Sequence, residues 1–174
     1  MFSDPLKNLK TLGIRESDIV ADLGAGTGFY TLAAGHMVPQ GKVYAVEVQK
    51  DFVAKITNRA REEHLDNVEC FWGNIEKLGG TKIKDGIVDV VIVSNVLFQV
   101  EDRDLFIQEI KRIAKPGAKV LLIDWSDSSS LGLLVAIPKA QALEMFEHKG
   151  FAYERDIDAG HHHYGMILTK SNER

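Results

Sequence analysis

A single cysteine in 174 residues, Cys70, rules out an internal disulfide and leaves no thiol set for a structural metal. Proline is also scarce, and Pro39, Pro116 and Pro138 stand at breaks between apolar runs. No uninterrupted apolar stretch approaches the roughly 18 residues that a spanning helix needs. Positive charge is in deficit: 21 Lys and Arg face 25 Asp and Glu, for a net charge of −4. That balance argues against nucleic acid as a partner, and Lys77, Lys82 and Lys84 read as a solvated loop. The opening "MFSDPLKNLK" lacks the apolar core of a secretory signal, so with one unpaired thiol a cytoplasmic protein is expected. What the chain does have is 45% hydrophobic and 26% charged residues, the composition of a folded globular domain. Its length suits one domain over residues 1–174.

The apolar pattern alternates between two periods. "DIVADLG" (18–24), "GKVYAVEV" (41–48), "VECFWG" (68–73), "GIVDVVIVS" (86–94) and "AKVLLIDW" (118–125) read as strands. The run at 86–94 is apolar almost throughout apart from Asp89, as expected of a strand covered on both faces. Helical spacing fills the gaps: "FYTLAAGHMV" (29–38), then Val53, Ile56, Ala60 and Leu65, then Phe106, Ile110 and Ile113 up to the "KPG" stop at 115–117. Strand and helix in alternation give an α/β domain with a mostly parallel sheet and helices on both faces. A further helix from Pro138 to Lys149, closed by Gly150, precedes two strand-like runs, "FAYERDID" (151–158) and "YGMILTK" (164–170). The residues joining that last pair are too few for a crossover, so the two strands are antiparallel.

"DLGAGTGFY" (22–30) removes nearly every side chain between the first strand and the first of these helices. In an open parallel sheet, ligands lie beyond the carboxyl ends of the strands where strand order reverses. A bare turn there lets a ligand approach the main chain, and the following helix offers unpaired N–H groups. Residues 24–28 therefore read as a cradle. The spacing Gly24, Gly26, Gly28 with Phe at 29 departs from the G-x-G-x-x-G dinucleotide fingerprint, and no phosphate loop of the G-x-x-x-x-G-K-[ST] kind occurs.

"VADLGAGTGFYT" resembles the first motif of class I S-adenosylmethionine-dependent methyltransferases. The likeness continues through Glu47, "WGNIEKL" (72–78), "VDVVIVSNVLFQV" (88–100), "AKPGAKVLLIDW" (114–125) and the terminal hairpin. It implies a three-layer αβα sandwich with a Rossmann-like seven-stranded sheet in the order 3-2-1-4-5-7-6, strand 7 antiparallel. S-adenosylmethionine is the implied cofactor and S-adenosylhomocysteine the product. Carried over residue by residue, Gly24, Ala25, Gly26 and Gly28 line the methionine part, with Asp22 and Tyr30 near its amino and carboxylate groups. Glu47 takes the ribose, Val48 packs on the adenine, Asn74 and Ile75 meet its edge, and Asn95 and Val96 sit near the methionine amino group. Asn74 departs from the Asp often found there, although an amide oxygen can still accept from an adenine amino group.

The resemblance is silent on the acceptor. Methyl transfer asks mainly for alignment and exclusion of water, and histidine is the natural helper if a proton must leave. His161, His162 and His163, in the turn between the last two strands, fall on the carboxyl edge and are candidate catalytic residues. Phe98 and Gln99, past the fourth strand, are candidate substrate-side residues. The aliphatic "SLGLLVAIP" (130–138) reads as core, a dimer contact or an apolar substrate wall. A small or lipid-like metabolite is the expected acceptor, with no metal, and a homodimer could complete a shallow pocket. Two other readings remain at this point, a cofactor-binding regulatory subunit without turnover and a nicotinamide-dependent oxidoreductase.

Overall fold

Each apolar run becomes a strand: β1 (Ile19–Leu23), β2 (Lys42–Glu47), β3 (Val68–Trp72), β4 (Val88–Ser94), β5 (Ala114–Trp125), β6 (Phe151–Ile157) and β7 (His163–Lys170). They form one sheet in the order β3-β2-β1-β4-β5-β7-β6. β1 to β5 are mutually parallel, and β7 runs antiparallel to both β5 and β6. This computed structural model describes residues 4–126 and 136–172. Most of "SLGLLVAIP" lies outside the described residues.

Alternation along the strands assigns the two faces. Val91, Val93, Val120, Leu122, Met166 and Leu168 pack beneath α4 (Arg103–Ile113) and α5 (Lys139–Glu147), which bury Phe106, Ile110, Ile113 and Phe146. Val90, Ile92, Leu121, Ile123 and Ile167 face the opposite way, under α1 (Pro5–Leu12) and α2 (Phe29–Met37). α3 (Lys50–Glu62) closes that layer through Ile56 and Ala60. Each fully buried Phe, Leu or Ile contributes about 1.5–3 kcal/mol, so this pattern determines which face each helix covers.

Three differences from the sequence reading have local causes. α1 has only two turns of pattern, too short to register by period, yet it is capped at both ends. The Asp4 side chain accepts from Leu6 N and Lys7 N, and Gly13 ends the helix at φ 77°. β5 begins at Ala114, not 118, because Pro116 confines Lys115 to extended backbone and Ala114 pairs with Val88. The register then shifts before Val90 meets Lys119. α3 stops at Glu62, short of the Asp66–Asn67 turn, where His64 turns left-handed at φ 56°. Asp89, the polar exception in β4, accepts from Ile19 N and pairs with Lys115, tying the starts of β1, β4 and β5 together.

Candidate active site

Strand order reverses between β1 and β4, since β1 leads outward to β2 and β3 while β4 leads to β5. The glycine turn sits there and walls a cleft of about 510 Å³. Its three glycines do different work. A Cβ on Gly24 would stand 2.7 Å from Val96 Cγ2, and one on Gly28 2.8 Å from Ile56 Cγ1. Gly24 thus lets the turn press on the end of β4, and Gly28 lets α2 start against α3. A Cβ on Gly26 meets nothing within 4 Å, so only this glycine leaves space for something from outside. Gly26 lines the cleft with Gly24 and Ala25, whereas Gly28 lies behind it.

Asp22, the last residue but one of β1, is almost completely buried and accepts from Thr31 Oγ1 at 2.6 Å. Burial pushes its carboxyl up to about 6, against the pull of the Thr31 hydroxyl, and the charge of Glu47 adds to the rise. Glu47, at the end of β2, accepts from Gly26 N, Val48 N and Gln49 N at 2.9–3.0 Å. A carboxylate has about four lone-pair sites, so about one remains for a ligand, and a diol would have to share the Gly26 contact. Tyr30 lines the cleft and its hydroxyl accepts from Asn8 Nδ2, which ties α1 to the site. Asn74 Oδ1 already accepts from Glu76 N, so an adenine amino group would share that oxygen. Ile75 and the exposed Val48 complete this end.

Past β4, Asn95 adopts φ 57°, and its backbone binds Ile123 O and Gln99 Nε2. Its side-chain oxygen is buried and has no donor among the described residues. Val96 and Gln99 line the cleft, while Phe98 instead packs against the core. The 3-10 turn Leu97–Gln99 is held by Asp124, fully buried at the end of β5, which accepts from Phe98 N and Trp125 N. Burial raises the Asp124 carboxyl above its ordinary range. Of the three histidines only His163 reaches the cleft, and His161 and His162 are exposed outside it. Phe29 and Phe52 also line the cleft and were not anticipated. Phe52 stands one turn before Ile56 on the buried stripe of α3, half-buried in the first turn of that helix, where the stripe reaches the cleft.

The residues fit S-adenosylmethionine on two observations. Gly26 opens a bare stretch of backbone, and the orphaned Asn95 Oδ1 is free to accept from a donor such as an ammonium N–H. The carboxylates Asp22, Glu47 and Glu76 give the lining the sign that suits a cation, and Val48, Phe52 and Ile75 supply apolar walls. Among the described residues no group of three or more His, Cys, Asp or Glu is placed to hold a metal ion.

Residues 14–170 match the family described as Methyltransferase domain. A SAM-dependent methyltransferase from Aquifex aeolicus is 28% identical and superposes with a TM-score of 0.81 over 97% of this chain and 90% of that one. The demethylmenaquinone methyltransferase of Geobacillus sp. (strain WCH70) is 26% identical over 71% of this chain and 52% of its own length. The ubiquinone/menaquinone biosynthesis C-methyltransferase UbiE of Hydrogenovibrio crunogenus is 31% identical over 66% of this chain and 44% of its own. The chain thus spans about half the length of these two relatives. Nothing in these matches favours the nicotinamide reading, and the chain belongs to the methyltransferase-domain family as a class I, S-adenosylmethionine-dependent member.

Proposed function

We propose that the protein transfers a methyl group from S-adenosylmethionine to a small, lipid-like acceptor, with a quinol ring as the acceptor of first choice. The observation that carries the reading is that the open backbone at Gly26 and the donorless Asn95 Oδ1 belong to residues lining one cleft. The names of two relatives support the quinol class. When bound, the cofactor supplies a methyl group on a sulfonium, already activated for displacement. The chain's own residues then hold and align. Asn95 Oδ1 and Asp22 receive the amino group, Gly24, Ala25 and Gly26 offer backbone to the methionine part, and Tyr30 borders it. Glu47 holds the ribose, Val48 and Ile75 clasp the adenine, and Asn74 meets its edge. Val96 positions the glycine turn, and Gln99 faces the acceptor. Fixing two reactants in line can supply about 7–11 kcal/mol of the barrier, so positioning alone accounts for much of the rate.

Calorimetry tests the cofactor half of this reading. S-adenosylmethionine and S-adenosylhomocysteine are expected to bind, and NAD is not; binding by NAD alone would reverse the assignment. Transfer of a labelled methyl group to a demethylated quinol tests the other half; its absence would remove the quinol class, and absence of label across a broad metabolite extract would favour a binding subunit without turnover.

Asp22 makes a pH prediction. With its carboxyl raised to about 6 from 3.8, the native state retains a proton that the unfolded chain releases. Its contribution to stability is therefore full below about pH 4 and falls as pH rises through 6. A cationic ligand favours the charged carboxylate, so S-adenosylmethionine is expected to bind more tightly above pH 6 than below it. Near pH 6 binding should release a proton, read as a dependence of the measured heat on buffer ionisation enthalpy. Asp22→Asn is expected to abolish that dependence.

A further inference from the structure

His163 opens β7, pairs with Trp125 of β5, and stacks on the Trp125 ring with 3.9 Å between centroids. Its Nδ1 lies 3.1 Å from the backbone oxygen of His161. A carbonyl oxygen only accepts, so Nδ1 carries the proton and the neutral ring presents Nε2 as a lone pair. That Nε2 is buried and meets no donor among the described residues, although the side chain lines the cleft. The adjacent Tyr164 packs into the opposite layer with the residues beneath α4 and α5, so its hydroxyl does not serve His163. Ring plane, tautomer and free acceptor are thus all specified, and the missing partner is an O–H or N–H group.

We infer that His163 Nε2 takes the hydroxyl proton of a phenol- or quinol-type methyl acceptor, an assignment that rests on the methyltransferase reading above. As the O–H proton passes to Nε2, the freed electron pair, on oxygen or delocalised to a ring carbon, forms the new bond to the methyl carbon. The S–CH₃ bond breaks with its electrons left on sulfur, so a positive sulfonium becomes a neutral thioether. On oxygen, the imidazolium then loses its proton to solvent; on carbon, it reprotonates the oxygen and the ring C–H proton leaves instead. Either route releases one proton per turnover.

Several charged or titratable groups share the cleft or the turn with this imidazole. Asp124 approaches from β5, Asp22 and Glu47 line the same cleft from β1 and β2, and His161 and His162 share its turn. Base strength selects the acceptor class. Phenols titrate near about 10, far below the roughly 15.7 of water, so imidazole suits a phenolic hydroxyl and is poorly matched to an alkyl one.

The test uses the full chain, S-adenosylmethionine with a tritiated methyl group, and 1,4-naphthalenediol as probe acceptor. His163→Gln keeps an acceptor atom without a basic one. It is expected to lower kcat at least about 100-fold, with little change in KM for the diol or in cofactor affinity by calorimetry. It should also flatten the rise in rate between about pH 5 and 8 that a histidine base imposes. Nitrogen-15 NMR of the unmodified protein should show Nδ1 protonated and Nε2 bare, with Nε2 shifting when the diol binds beside S-adenosylhomocysteine. A His163→Gln variant with wild-type kcat and pH profile overturns the inference, and so does an Nε2-protonated tautomer. If the unmodified protein binds the cofactor but leaves the diol unmethylated, the phenolic assignment fails alone. If it does not bind the cofactor, the methyltransferase reading fails first. Should His163→Gln not fold, the NMR result on the unmodified protein still decides.

Discussion

Replacing Gly26 with valine is expected to weaken S-adenosylmethionine binding at least about 100-fold, or about 2.7 kcal/mol, while the protein stays folded. At φ 55° a β-branched residue is strained, by roughly 1–2 kcal/mol for the left-handed region, but its Cβ meets no neighbour within 4 Å. The isopropyl group therefore goes into the cleft rather than into the core. It also crowds the Gly26 N–H that Glu47 Oε2 accepts. Gly28→Ala is the contrasting variant. Its new methyl strikes Ile56 at 2.8 Å at φ 82°, so its main effect falls on stability and on the start of α2. Calorimetry and thermal unfolding of both proteins separate the two roles. A folded Gly26→Val variant with unchanged affinity would place the cofactor elsewhere.

Glu109→Ala is expected to destabilise the protein by about 3–5 kcal/mol, the range for removing one member of a buried ion pair. At roughly 2–4 °C per kcal/mol for a chain of this size, the midpoint falls by about 6–20 °C. Glu109 is fully buried on α4 and accepts from Gly79 N, Thr81 N, Thr81 Oγ1 and the Arg112 guanidinium. Burial opposes its charge, and these donors together outweigh burial, led by Arg112, to hold the carboxyl at about 2 against an ordinary 4.5. Its stabilisation, roughly 3 kcal/mol by linkage, is full above pH 4.5 and lost as pH falls toward 2. Thermal unfolding across that window should show the wild-type advantage over Glu109→Ala shrinking with acid. An advantage independent of pH would assign the effect to packing instead. The same change reaches the site, because Gly79 and Thr81 flank Gly80, whose carbonyl accepts from Asn74 N. Cofactor affinity is expected to drop with stability.

Most of the architecture was legible because its signals are local. A run such as "VDVVIVS" is apolar at nearly every position only when both faces are covered, and its order among helical patterns implies a parallel sheet. The antiparallel tail followed from the length of one link. The bare turn was legible for the same reason, since the residues that free the backbone are neighbours in the chain. α1 escaped because two turns carry too little period, and β5 was read short because a Pro–Gly pair suggests a stop even where strand pairing continues through it.

Side-chain roles divided along the same line. Three glycines look alike in sequence, yet only packing against Val96 and Ile56 shows that two serve the fold and one the cleft. Three histidines stand in a row, and the pairing of β7 with β5 brings only the last into the cleft, with Trp125 against its ring and a carbonyl against Nδ1. Phe98 turned to the core, and Phe29 and Phe52 turned to the site. By itself the sequence determined the order of elements, the class of fold and the place of the cradle, because periodicity and turn chemistry act over a few residues. Only the tertiary structure decided which polar atoms are left without a partner, because burial and hydrogen bonding depend on neighbours tens of residues away.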